Sequence, residues 1–321
     1  MKSHATRVIA SVILLNCSRD ERPLPSFRKL ASDVSLNECA VDRDFVFGVD
    51  GTSIARISRR TGAVDKLPNA HTATDLVAAN GTVYWIDSDG VHAWRVGTTV
   101  RTEIQKFDHP YYGQSLVRFG ERLCWGYNRF VPQDDPAAED YLRIDCTPLA
   151  GGDIERWGVL RTFSTPTLVV GFGRMYAAVD RTYGCELVDA TTHVDEAERS
   201  APRLGLVDGY CVGELAMTRE EPLLLRSLEA GRRLNLMRSN RELGLPERAA
   251  HVVVIGSRTL TATPEGPAEI DLASGQSRLL ERVQLSELYP HLCADESTNT
   301  LFLEGPKRTI FEVPLNRNPR G

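Results

Sequence analysis

Apolar and polar residues alternate in short runs along most of this chain, and the runs are separated by small or acidic turn residues. Residues 82–96, TVYWIDSDGVHAWRV, show the plan: two alternating apolar runs either side of an Asp-Ser-Asp-Gly corner. Alternation with period two marks a half-buried strand, and two such runs joined by turn residues predict an antiparallel hairpin. The plan recurs at 44–67 (DFVFGVDGTSIARISRRTGAVDKL), at 122–128 with 141–157, at 174–192, at 259–280 and at 300–315. A further unit within 206–238 matches least well. Anchored at Phe45, Val83, Leu123, Met175, about Leu215, Thr259 and Thr300, the hairpins repeat every 40 or so residues, about the length of a four-stranded propeller blade. Short apolar runs precede several hairpins: DLVAANG (75–81), SLVRFGE (115–121), TLVVGFG (167–173) and HVVVIGS (251–257). These are expected to be innermost strands, crowded round a central axis.

The last unit ends at FEVPLNRNPRG without room for an outer strand, whereas SFRKLAS (26–32) precedes the first inner strand and is similar to the outer strands of other units. The expected fold is therefore all-β: a β-propeller of seven four-stranded blades, closed by an N-terminal strand in the last blade. Such closure removes two exposed sheet edges. Six blades are the alternative if the fifth unit is not a blade. Tyr84-Trp85-Ile86-Asp87 resembles the tyrosine-tryptophan-x-aspartate repeat of bacterial and animal β-propellers. The Ile, Thr and Gly spacing that ends in Ile57 to Gly62 is similar to the second hairpin of those blades, and Ile270 to Gly275 is a shorter match. The resemblance implies architecture over residues 38–316 and carries little about activity.

The first residues change the picture of where the protein works. Lys2 and Arg7 precede an apolar stretch, VIASVILL (8–15), which is followed by Asn16, Cys17 and a polar segment. That order is the plan of a secretory signal. The stretch is too short to span a bilayer, which takes about 20 residues. Leu14-Leu15-Asn16-Cys17 resembles a bacterial lipobox, with Asn16 where that family has a small residue; the resemblance implies lipidation at Cys17. An ordinary signal, cleaved or uncleaved, and a short cytosolic strand are the other readings. The expected organisation is a signal peptide over 1–17, a linker over 18–25, a single propeller domain over 26–316 and a tail over 317–321.

Setting Cys17 aside leaves six cysteines, an even number, as expected of a protein oxidised outside the cytoplasm. Six cysteines allow 15 pairings. Within the repeat, Cys124 and Cys146 fall on adjacent strands of one blade, where antiparallel pairing sets them opposite each other. Cys39 and Cys293 fall on the innermost strands of the first and last units, which are neighbours once the ring closes. Cys185 and Cys211 remain, although the register puts them at opposite ends of their blades. No C-x-x-C occurs, which argues against a zinc ribbon or a thioredoxin-type site.

Charge excludes little else. The net charge is -5 with no long block of one sign, which does not favour a general nucleic-acid surface. Asp87-Ser88-Asp89-Gly90 offers carboxylates, but an EF-hand loop starting at Asp87 would need Glu where Thr98 stands. Asp and Gly are also favoured at hairpin corners, and the corner is the expected role. Residues 133–140 (QDDPAAED) form an acidic insertion that reads as solvated loop. His71, His109, His251 and His291 each lie near the entry to an innermost strand, with Asp75 and Asp108 close in sequence. Together they are candidates to ring one mouth of the channel, where imidazole and carboxylate bind ligands or move protons. His92 and His193 are placed on hairpin turns or outer strands. No G-x-S-x-G or H-E-x-x-H appears, no S-x-x-K is accompanied by its supporting motifs, and Gly171-Phe172-Gly173 lacks the third glycine of a dinucleotide site.

The expected function is a non-catalytic binding or scaffolding module of the bacterial cell envelope, monomeric and membrane-held through its lipid, with an unidentified protein or small-molecule partner. No nucleic acid, cofactor or resident metal is expected. The alternative is a propeller lyase or hydrolase acting on a carbohydrate or small molecule through the channel histidines. Recognition of a protein through the acidic insertion is a third reading.

Overall fold

The computed structural model describes residues 27–68, 70, 73–107, 112–128, 141–161, 167–181, 184–195, 203–207, 213–228, 231–237, 239–246, 248–280, 282–285 and 291–315. They form seven antiparallel sheets arranged as the blades of a β-propeller. The innermost strands are Cys39–Val41, Asp75–Ala79, Tyr112–Phe119, Thr167–Gly171, Gly213–Met217, Ala250–Ile255 and Leu292–Asp295, which we number as blades 1 to 7. Blade 3 carries a fifth strand, Val194–Asp195, parallel to its outer edge. Among the described residues no helix is long and apolar enough to cross a membrane.

Each sheet is clad on both faces by its neighbours, and one apolar cluster fills each of the seven blade interfaces. This explains why both alternating sets of TVYWI are apolar. Val83 and Trp85 pack toward Phe47 and Ile54 of blade 1, while Tyr84 and Ile86 pack toward Leu123 and Trp125 of blade 3. At the corner that follows, Asp87 Oδ1 accepts the N–H groups of Asp89 (2.8 Å) and Gly90 (3.1 Å) and lies 3.2 Å from His92 Nε2; Oδ2 accepts Trp85 Nε1 at 3.3 Å. Asp-Ser-Asp-Gly is therefore a hairpin corner that also fastens two rings. Burial alone would push the Asp87 carboxyl up; the hydrogen bond and charge of His92 and the two N–H donors outweigh it and hold it below the usual range. His92 is on the third strand, Gly90–Arg95, and buried, not on a turn or an outer strand, because this network solvates it. Asp87→Ala would orphan these donors inside the blade. Its expected cost is about 3 kcal/mol of unfolding free energy in urea titration at neutral pH, and a loss within about 0.5 kcal/mol would contradict this account.

Blade 7 closes the ring as expected: Arg28–Ala31 pairs with Thr309–Pro314, Arg28 opposite Glu312. Three devices hold the seam. Leu30 and Ala31 join an apolar cluster with Val46, Ile57 and Phe302. Glu304 accepts Leu36 N–H (2.7 Å) and Ser35 Oγ–H (3.0 Å), and Arg59 pairs with Asp295 at 2.5 Å. The closing strand also passes so near blade 1 that a β-carbon on Gly62 would sit 2.2 Å from Leu30 O, at a φ of +73° that favours glycine anyway.

Cys39–Cys293 and Cys124–Cys146 are bonded, the latter between residues directly opposite in register. Cys185 is disulfide-bonded too; its expected partner Cys211, and Cys17, lie outside the described residues. The fifth unit corrects the expected register. Leu215 lies on the innermost strand, the second strand starts at Pro222, and residues 206 and 207 belong to the outer strand of blade 4, Arg203–Val207. GELAM and PLLLRSL are similarly apolar, so a spacing argument slid one strand out of place.

Candidate functional site

In every blade the innermost strand begins at the same end of the channel, because each is followed by a hairpin of the same hand. At that end lies a chamber of about 460 Å³ lined from all seven blades. Its polar lining comprises Asn37, Glu38, Thr74, Asp75, Thr167, His251 and His291; leucines and valines of the innermost strands form most of the rest. No described lining residue is Lys or Arg. Of the histidines and acids expected at the mouth, Asp75, His251 and His291 meet here, while His71, Asp108 and His109 lie outside the described residues, as does the acidic insertion 133–140.

Two features place the imidazoles. The register of blade 6 slips between Ala250 and Val252, and His251 takes a left-handed φ of 54°, strained for a residue with a β-carbon. Thr261 Oγ–H donates to the His251 carbonyl at 2.8 Å and pins this bulge. The His251 and His291 rings then stand 5.0 Å apart between centroids, tilted by 43°. A strand without the slip would turn residue 251 with the pleat, away from its present setting.

Asp75 starts the innermost strand of blade 2 and reaches across to blade 3. Its Oδ1 accepts Leu76 N–H and its Oδ2 accepts Leu116 N–H, each at 2.8 Å. Ser115 adds a side-chain hydrogen bond, and its Oγ accepts Leu168 N–H of blade 4 at 2.9 Å. One carboxyl thus begins a polar belt through three consecutive blades. Asp75 touches channel space but is enclosed by protein elsewhere. That burial pushes its pKa up to about 7 against the opposing effect of the Leu116, Leu76 and Ser115 hydrogen bonds.

Among the described residues no three His, Cys, Asp or Glu side chains are grouped to hold a metal ion. The chamber can hold a small ligand, offer it carboxylate and imidazole hydrogen bonds, and exchange a proton near neutral pH. Glu38, Asn37 and Thr74 were missed from sequence. The available signal was their position immediately before an innermost strand, the same one that singled out His71 and His291.

No protein-family model matches the chain, and no curated protein matches it. Solved structures share its fold. The WD40 domain of Pan2 from Neurospora crassa superposes with a TM-score of 0.60 at 10% identity, covering 91% of this chain and 96% of that one. An oligogalacturonate lyase in complex with manganese gives 0.56 at 9% identity over 85% and 86%. BamB from Moraxella catarrhalis gives 0.51 at 13% identity over 89% and 85%. The three are a WD40 domain, a lyase and BamB, and at these identities the likeness extends to architecture alone.

Proposed function

We propose that this protein is a non-catalytic binding module of the bacterial envelope that takes a small polar ligand at the mouth of its propeller channel. The observation that carries this reading is the chamber itself: a cavity to which every blade contributes, with Asp75, His251 and His291 on its wall. Loops and strand ends from separate blades give such a site its chemistry without altering the fold. The address rests on the disulfides, which suit an oxidising compartment, and on the leader-like first residues with their lipobox-like end at Cys17.

The test is a thermal-shift screen with a panel of neutral, amino and acidic mono- and disaccharides and short peptides, followed by calorimetry on the strongest binder. His251→Gln and His291→Gln are expected to weaken that binder about tenfold or more, the scale of one or two lost hydrogen bonds. Binding that ignores both substitutions would move the site elsewhere. Turnover of the bound compound, lost in the same variants, would replace the binding reading with the lyase or hydrolase one. Intact mass of the membrane-extracted protein, before and after reduction, checks the address through acylation at Cys17.

A further inference from the structure

The opposite face of the propeller carries a second feature. The connections between first and second strands, and between third and fourth, all emerge on the face away from the chamber. Among the described residues, the large hydrophobic side chains left exposed are Val100 (70%), Ile154 (38%) and Phe172 (48%). All three are on that face, at loop tips of consecutive blades. Val100 lies between Gly90–Arg95 and Thr102–Lys106 of blade 2, Ile154 between Tyr141–Pro148 and Glu155–Arg161 of blade 3. Phe172 forms the corner between Thr167–Gly171 and Arg174–Arg181 of blade 4.

Phe172 is costly where it stands. Gly171 pairs with Arg174, so Phe172-Gly173 is a two-residue hairpin turn, with φ of 52° and 74°. That turn favours Asn-Gly, since asparagine and glycine tolerate positive φ and a bulky aromatic does not. The equivalent corner of blade 2 is Asn80-Gly81, and those of blades 3 and 6 begin with Gly120 and Gly256. Blade 4 alone of these four places a large apolar side chain there and leaves it half in solvent. Strain combined with exposure points to a role outside the fold.

The chain also enters on this face. Arg28 pairs near the end of Thr309–Pro314 that leads to the same set of connections, and Phe27 stands just outside it. Between Cys17 and Phe27 a chain extends at most about 3.5 Å per residue, a short tether. The charges around the tips are mixed and largely paired: Arg118 with Glu121, Arg122 with Glu155, Arg174 with Asp189. Such a rim suits a headgroup layer that presents both signs, and three separated tips suit a soft plane better than one pocketed partner surface.

We infer that Val100, Ile154 and Phe172 dock this face onto a phospholipid bilayer, lodging at the boundary of headgroups and acyl chains, so that the ligand chamber points away from the membrane. The inference rests on the reading that the first residues hold the chain at a membrane. It is tested on the full chain carrying Cys17→Ser and Phe172→Trp, which removes acylation, with phosphatidylcholine–phosphatidylglycerol vesicles. Trp85, Trp94 and Trp125 are buried and Trp157 is partly buried, so the Cys17→Ser chain that keeps Phe172 supplies the background against which the added indole is read. Brominated acyl chains should quench the added emission, and Val100→Ser with Ile154→Ser should lower vesicle partition about tenfold, since interfacial binding scales with apolar area. Phe172→Asn should raise the melting temperature by relieving the corner while lowering partition; a residue kept for stability would lower the melting temperature. Absence of vesicle binding, or binding without quenching of the added indole, overturns the inference. Failure of the tether reading shows separately, as wild-type protein without acyl mass at Cys17.

Discussion

Replacing Cys39 and Cys293 together by alanine should lower the unfolding free energy by about 5 kcal/mol, the largest effect of any change considered for the fold. The two residues are 254 positions apart, and their bond ties the innermost strands of blades 1 and 7. Cross-linking so long a loop removes more freedom from the unfolded chain than a short one does. Cys124–Cys146, with a separation of 22, should contribute about 3 kcal/mol on the same scale. The seam has other supports in the Arg28–Ala31 strand, the Glu304 contacts and the Arg59–Asp295 pair, so the double variant should fold. Its weakness should appear as early opening of the seam: hydrogen exchange along Arg28–Ala31 and Cys39–Val41 should speed up before that of blade 3. Guanidinium titration of the two double variants gives the comparison. An equal or smaller loss for the Cys39/Cys293 variant would show that the strand, and not the bond, closes the ring.

The second large effect is a pH dependence centred on Asp75. Its pKa moves from an ordinary 3.8 to about 7 in the folded protein, chiefly through burial. Below pH 4 both folded and unfolded states hold the proton. Between about pH 4 and pH 7 the native state keeps a proton that the unfolded state has released, so stability falls as pH rises through this window. Above about pH 7 both are ionised and the loss is complete. The ceiling is about 4 kcal/mol, reduced by channel water that screens the carboxylate. Asp75→Asn removes the titration, but it keeps one acceptor oxygen where the carboxyl has two, so its NH2 group meets the N–H of Leu76 or Leu116. The variant should therefore be less stable than wild type at pH 5, by about 1–3 kcal/mol, and should close or reverse that gap at pH 8. Glu38, His251 and His291 line the same chamber and are unchanged in the variant, so the difference between the two curves reports on Asp75. Parallel curves from pH 5 to 8 would mean that Asp75 ionises in the fold as it does in water.

Ligand binding in the chamber should carry the same signature. A cationic ligand would bind better as Asp75 ionises, and a hydrogen-bond acceptor better while it holds its proton. A pH series on the strongest binder would thus read the ligand's chemistry from the site.

The blades, the ring closure and two of the disulfides were legible in the sequence because each follows from local regularities repeated along the chain. Period-two alternation, turn residues and repeat spacing mark strands; register then sets Cys124 opposite Cys146, and ring closure makes Cys39 and Cys293 neighbours. Where local patterns were degenerate, as between Gly213–Met217 and Pro222–Leu228, the reading slipped, and only pairing with neighbouring strands decided the register. His92 read as a turn or outer-strand residue because nothing in one strand reveals that Asp87 and Trp85 enclose it. The chamber was half legible: the repeat brought Asp75, His251 and His291 to one end of the channel. The bulge that sets His251 arises from strand pairing within blade 6, and the enclosure that raises the Asp75 pKa and the sharing of one outer face by Val100, Ile154 and Phe172 arise between blades. Local pattern determines which segments become strands, since turn chemistry and alternation act over a few residues. Convergence of residues hundreds of positions apart depends on how seven sheets pack round one axis, and that was decided by the tertiary structure alone.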